Sequence, residues 1–145
     1  MSLLGLDVGT KTVGIAMSDS LGLVAQPLET LFYKNQKQVA AKISKLVSEH
    51  DISEIVVGLP YLKSGDESLQ AKKIKTLITY VSGFLKKKDM VITYWNEALT
   101  TEAAKEILVQ KNIPQEKRKE VIDKMAAAFI LQEYLEAKRQ NKRIS

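Results

Sequence analysis

Leu4-Gly5-Leu6-Asp7-Val8-Gly9-Thr10-Lys11-Thr12-Val13-Gly14-Ile15-Ala16 joins two short apolar runs through a turn of glycine and polar residues. A carboxylate, Asp7, ends the first run, where it is well positioned to hold a metal ion. Gly9 and Gly14 can turn sharply and let backbone N–H groups approach a phosphate with no Cβ in the way. Carboxylate plus phosphate implies a divalent cation between them. The same residue types also suit an ordinary hairpin turn, so the rest of the chain has to decide between site and turn.

Working outward, Leu3 to Val8, Val13 to Ser18 and Leu23 to Phe32 read as three short strands joined by turn-rich links, an antiparallel meander. From Gln36 the period changes. Val39, Ile43, Leu46, Val47 and His50 share one helical face, with Lys37, Lys42, Lys45 and Glu49 elsewhere. Glu54-Ile55-Val56-Val57-Gly58-Leu59-Pro60 is a β-branched run stopped by proline, the pattern of a strand buried on both faces after a crossover. A Ser64/Glu67 capping box then predicts a helix carrying Ile74, Leu77, Ile78, Val81, Phe84 and Leu85. Met90 to Trp95 is a further buried strand that delivers Asn96 and Glu97 to its C-terminal end, the edge where open α/β sheets place their sites. Thr100 or Thr101 would cap the next helix, with Glu102 in its first turn, and Pro114 suits another helix start. The last helix, about Gln115 to Lys138, is expected to bury Val121, Ile122, Met125, Ala126, Phe129 and Leu135, leaving a frayed polar tail.

Composition narrows the chemistry. With 145 residues, 45% of them hydrophobic and 27% charged, one folded domain is expected. The absence of cysteine excludes disulfides, thiolate catalysis and zinc ribbons, and a single histidine argues against a His-based zinc site or triad. Oxygen-ligated Mg²⁺ or Mn²⁺ remains. No apolar stretch approaches the roughly 20 residues of a membrane span, and no basic-then-apolar leader opens the chain, so a cytoplasmic protein with no membrane partner is expected. The 22 Lys and Arg exceed the 17 Asp and Glu, giving +5. The excess clusters at Lys86-Lys87-Lys88, Lys117-Arg118-Lys119, Lys138-Arg139 and Lys142-Arg143, which points toward a phosphate-rich partner.

Asp123 is the anomaly of the last helix. It sits between Ile122 and Met125, just before Ala126-Ala127-Ala128, a small-residue stretch that lets a helix lie close on a sheet. Its carboxylate should be drawn toward the packed side, where an acid needs a partner.

Five ordered motifs then run across nearly the whole chain. They are Gly5-Leu6-Asp7-Val8-Gly9-Thr10-Lys11, Ser18-Asp19, Val57-Gly58-Leu59-Pro60, Glu97 with Leu99-Thr100-Thr101, and Ile122-Asp123-Lys124-Met125-Ala126-Ala127 with Ile130-Leu131-Gln132. In these the chain resembles the YqgF family, which is similar to Holliday-junction resolvases of the ribonuclease H-like superfamily and is described as a family of pre-16S rRNA nucleases. The resemblance implies an α/β, ribonuclease H-like fold: a five-stranded mixed sheet in the order 3-2-1-4-5 with helices on both faces. Residues 1–138 would form one nuclease domain and 139–145 a basic, flexible tail. Asp7, Glu97 and Asp123 would converge as catalytic, metal-binding carboxylates for Mg²⁺ or Mn²⁺, two ions standing about 3.5–4 Å apart in the two-metal scheme for in-line phosphodiester displacement. Gly9, Thr10 and Lys11 would lie near a phosphate, and the Thr100 and Thr101 helix end could hold another. Glu120, on the same helical face as Asp123, is a candidate further ligand, against the plainer expectation of pairing with Lys117 or Lys124.

The departures carry weight too. Where that family usually reads Asp-Glu-Arg, this chain has Asn96-Glu97-Ala98, and where Lys-Arg is common it has Lys11-Thr12. Loss of arginine forks predicts weaker or reoriented phosphate binding. Three classes stay in play. The first is a metal-dependent endonuclease on structured RNA, as in processing of the pre-16S rRNA 5′ end, or on branched DNA. The second is a binding scaffold that uses the same groove without cutting. The third is an actin-like ATP-binding fold, suggested by Asp7-Val8-Gly9-Thr10 alone and needing far more chain. A resolvase is expected to dimerise whereas an RNA-processing enzyme could act alone, and no dimer face is legible in the residues.

Overall fold

The computed structural model describes residues 1–60, 64, 66–86, 89–96 and 115–144, the side chains of 115–119 and 141–144 excepted. The opening meander is present as β1 (Ser2–Val8), β2 (Thr12–Ser18) and β3 (Ala25–Phe32), antiparallel neighbours. β3 starts at Ala25 and not at Leu23, because Asp19 Oδ1 accepts the Leu23 and Val24 amides at 2.7 and 3.3 Å and draws both residues into the turn. Those amides, Leu23 first, hold the Asp19 carboxyl below its ordinary range. Gly22 supplies the positive φ of 68° that this turn needs.

Helix α1 (Gln36–Glu49) is capped by Asn35, whose side chain accepts the Gln38 amide at 3.1 Å. Its buried face is Val39, Ala40, Ile43, Leu46 and Val47, whereas His50 is exposed and closes the helix through its own backbone N–H to Leu46 O. Strand β4 (Ile52–Leu59) returns parallel to β1, and β5 (Val91–Asn96) pairs parallel to β4. Between them, α2 (Leu69–Ser82) starts at Ser68, not at Ser64. Ser68 Oγ accepts the Ala71 amide at 3.0 Å, while Ser64 turns to Asp66 and Glu67 pairs with Lys75. The helix ends before Phe84, which is 53% exposed and packs on Tyr80 at 5.0 Å between ring centroids.

The sheet order is β3-β2-β1-β4-β5, as the family resemblance implies. Alternation along the strands divides the apolar residues between its two faces. Leu4, Leu6, Val13, Ile15, Ile55 and Val57 meet α1 and α2 on one side. Leu3, Ala16 and Val56 meet Ala127, Ile130, Leu131 and Leu135 of α3 (Gln115–Ile144) on the other. The buried stripe of α3 is therefore partly turned from the one expected: Ala126 and Leu135 are buried, but Val121, Ile122, Met125 and Phe129 are only half-buried. The helix also continues through Ile144 past the expected limit at Lys138. Among the described residues no helix is long and apolar enough to cross a membrane.

Two glycines decide how closely α3 lies. A Cβ on Gly5 would stand 2.8 Å from Leu131 Cβ and 2.9 Å from Ala127 O, and one on Gly14 would fall 1.8 Å from Asp123 O. At the far end of the crossing, Glu54 of β4 is buried at 6% exposure. Its carboxylate accepts Thr93 Oγ1 at 2.7 Å, the Tyr134 hydroxyl, and Lys138 Nζ at 3.2 Å, tying α3 to β4 and β5. Burial alone would raise the Glu54 pKa, but the hydrogen bonds from Tyr134, Thr93 and Lys138 together hold it below the ordinary glutamate range.

Two outcomes follow for stability. Gly14→Ala must push α3 off the sheet and should cost about 1–3 kcal/mol in urea unfolding; Gly83→Ala, whose Cβ would meet only Tyr80 O at 3.4 Å, is the mild comparison. Because folding lowers the Glu54 pKa, its contribution is present at neutral pH and is lost as the pH falls through the folded value. Glu54→Gln should lower stability by about 1–3 kcal/mol at neutral pH and flatten the acid side of the stability profile, measured by urea titration down to about pH 3.

Candidate active site

Asp7 reaches its place through strand alternation. Leu6 and Val8 enter the α1–α2 core and Gly5 faces α3, so Asp7 lies, half-buried, on the α3 face at the C-terminal end of β1. In the β1–β2 register Asp7 stands opposite Gly14. Gly14 is also where α3 touches down with the backbone of Asp123. One close approach therefore brings Asp7 and Asp123 to the same end of the same sheet face. Asp123 is half-buried, and Thr12 Oγ1 donates to its Oδ2 at 2.6 Å. Thr12 is itself 4% exposed, so the donor is held by the core and orients the half-buried carboxylate.

Thr12 has a role in the fold that the sequence alone does not show. It stands where the resembled family commonly has arginine. In the fold it is the hydroxyl that holds Asp123. The signal available was the i, i+2 spacing of Thr12 and Gly14 on one strand face, which puts a donor beside one of the two glycines where the helix comes close.

The turn between the strands accounts for the remaining N-terminal residues. The Gly9 amide donates to Thr12 O at 2.7 Å, closing the β1–β2 turn, and Tyr33 OH donates to Gly9 O at 2.6 Å. The hairpin role considered for Gly9 is thus present, and its N–H is engaged in the turn. Thr10 and Lys11 are exposed at the tip. On the opposite side of the turn, Val8, Gly9, Thr10 and Tyr33 line a cleft of about 250 Å³ against Gln70 and Lys73 of α2. Glu120 is exposed, and its carbonyl accepts the Thr30 hydroxyl of β3. Glu97, Thr100 and Thr101 lie outside the described residues, β5 ending at Asn96 in register with Leu59. Among the described residues no three His, Cys, Asp or Glu side chains gather as a metal site; the pair brought together is Asp7 and Asp123.

Away from this end, two expected features have structural work. Ser18 Oγ accepts the Leu3 amide at 2.8 Å and donates to Asp19 O at 3.0 Å, so the Ser18-Asp19 motif builds the β2–β3 turn. Lys138, part of the C-terminal basic cluster, is committed to Glu54 and lies 5.6 Å from the Tyr134 ring centroid.

Comparison with known proteins agrees with this architecture. A family model described as RuvX, Holliday junction resolvase, matches residues 1–137. A protein of Lachnospira eligens named "Putative pre-16S rRNA nuclease" is 41% identical over 143 residues, 97% of this chain and 100% of that protein. Its namesake in Halalkalibacterium halodurans is 43% identical over 138 residues, 94% of this chain and 96% of that protein. Among solved structures, T. thermophilus RuvC in complex with a Holliday junction substrate superposes with a TM-score of 0.59 at 14% identity, covering 96% of each chain. The fowlpox virus resolvase bound to junction DNA does so with a TM-score of 0.60 at 12% identity, over 95% of this chain and 99% of that one. At such identities the likeness is one of fold, the ribonuclease H-like fold of RuvC-type resolvases. With the family model spanning residues 1–137 and these relatives matched over almost their full length, the chain belongs to the RuvX family, the YqgF family of its motifs.

Proposed function

We propose that this chain is a metal-dependent endonuclease that hydrolyses phosphodiester bonds in the precursor of 16S rRNA. The observation that carries the reading is the meeting of Asp7 with Asp123 at the Gly14 contact, on the face where Thr12 orients the second carboxylate. The choice of substrate is supported by relatives named as pre-16S rRNA nucleases that match nearly end to end. Junction DNA is the alternative, supported by the description of the family model.

The donor set fits a hard divalent cation. Asp7 and Asp123 offer carboxylate oxygens, the chain has no cysteine, and its single histidine is exposed at the end of α1. Asp7 and Asp123, joined by Glu97, would hold Mg²⁺ or Mn²⁺. Such an ion supplies Lewis acidity and a nucleophile at neutral pH. The chain's own groups do the rest. Thr12 orients the Asp123 carboxylate through its hydrogen bond to Oδ2, which limits reorganisation as charge develops. Thr10 and Lys11, exposed at the hairpin tip beside Asp7, bind a substrate phosphate and set the strand's path.

The test is cleavage of a labelled rRNA precursor and a four-way DNA junction by pure protein in Mn²⁺ or Mg²⁺. Asp7→Asn and Asp123→Asn should each lower cleavage roughly a hundredfold or more, since such ions supply several kcal/mol of transition-state stabilisation. Cleavage that survives both substitutions in folded protein sinks the assignment, and cleavage of the junction alone moves it to DNA. Thr12→Val should keep the fold and weaken Mn²⁺ binding about tenfold, read by calorimetry; unchanged affinity would leave Thr12 with a packing role only.

A further inference from the structure

Phe32 is an aromatic side chain on the catalytic face that the folded chain leaves 60% exposed. Its position follows from register. Phe32 ends β3 directly opposite Thr12 of β2, just as Thr30 stands opposite Gly14. Paired residues of antiparallel strands project to the same face, so Phe32 shares the face of Thr12, whose hydroxyl holds Asp123. The same face is marked by the Thr30 hydroxyl, which donates to Glu120 O of α3. Phe84, the other widely exposed phenylalanine, lies beyond the end of α2 and already packs on Tyr80.

We propose that Phe32 is a stacking platform for an unpaired base next to the scissile phosphate, so that the substrate of this site is single-stranded on that side of the cut. The proposal rests on the nuclease reading of Asp7 and Asp123. Cross-strand neighbours stand about 5 Å apart and a stacked strand advances about 3.4 Å per nucleotide. The base that reaches Phe32 therefore belongs to a nucleotide one or two steps from the phosphate at Asp123. A base inside a duplex offers only its edges to a protein, whereas a splayed base offers its face. A phenyl ring has no donor or acceptor with which to read an edge, so it holds any base by its face and confers preference for unpaired structure over sequence. Charge favours nucleic acid over an apolar protein partner here. Lys11 and Lys34, both exposed, flank the strand end, where the Tyr33 amide donates to Lys11 O at 3.0 Å, and the chain carries +5.

The experiment measures binding in the Asp7→Asn background, so it needs no turnover. The probes are an RNA hairpin with a 3′ single-stranded arm, the same hairpin with one abasic nucleotide moved along the arm, and a blunt hairpin. Phe32→Ala should weaken binding of the armed hairpin about tenfold and leave the blunt hairpin unchanged. Phe32→Trp should restore it. At one abasic position the parent should bind as weakly as Phe32→Ala, and the slope of affinity against salt should stay the same, because no ionic contact is removed. The idea is overturned by equal binding of the armed hairpin with and without the ring, by an equal loss on every probe, by no binding of any probe, or by a loss that tracks a change in sedimentation, which would make Phe32 a contact between two copies. Failure of the nuclease reading is separate: it appears as absence of cleavage by the unsubstituted protein.

Discussion

Helix α3 descends onto the sheet where β1 and β2 present hydrogen in place of Cβ, and most of what the chain can do chemically depends on that approach. At Gly14 the Asp123 carbonyl occupies the space of a missing side chain, and at Gly5 the next turns of the helix do the same. A helix held off by one methyl group would carry Asp123 away from Thr12 and from the end of β1. The approach is stabilised by Ala127, Ile130, Leu131 and Leu135 packing on Leu3, Ala16 and Val56. Small residues on the helix and glycines on the strands are two halves of one fit. A carboxylate placed by backbone packing is positioned more rigidly than one carried on a loop.

The order of elements was legible because period and punctuation agree. The short β-branched runs, the 3.6-residue spacing after Gln36 and the proline after Leu59 each point to one element, and the strand order came with the family resemblance. The less legible features are those in which a local signal competes with a partner far along the chain. Ser64 and Glu67 satisfy the capping-box spacing, yet Ser68 caps α2, and its hydroxyl also donates to Pro60 O at 2.9 Å. Gly14 read as a phosphate-loop glycine because its distant contact, Asp123, cannot be seen from the strand alone. For the same reason the hydroxyl that Thr12 offers Asp123 is not visible from the strand. The apolar residues of α3 are spread round the helix, so the expected stripe of Val121, Ile122, Met125, Ala126, Phe129 and Leu135 holds only in part, Gly5 bringing Ala127 and Leu131 onto the sheet.

Function divides along the length of α3. Toward its N-terminal part, the half-buried Asp123 faces the hairpin whose tip exposes Thr10 and Lys11. Toward its C-terminal part, Tyr134 and Lys138 close on Glu54, and Trp95 packs edge-on against Tyr134 at 5.5 Å between ring centroids. The second cluster buries an acid, but with a hydroxyl on either side and an ammonium, which is why it reads as an anchor and not as a second site. It also explains why net charge is a coarse guide to the nucleic-acid surface: a lysine from the most basic segment is consumed in holding the helix down.

Asp7 and Asp123 stand at one end of a sheet face in partly buried positions, where a carboxylate needs partners. Thr12 is one such partner, donating to Asp123, while apolar packing of α3 farther along the helix holds the carboxylate's backbone in place. In the proposed reading a divalent cation would give both carboxylates a shared partner. The anchor at Glu54 lies at the far end of the helix, where it can hold α3 in place without adding charge to the Asp7–Asp123 end.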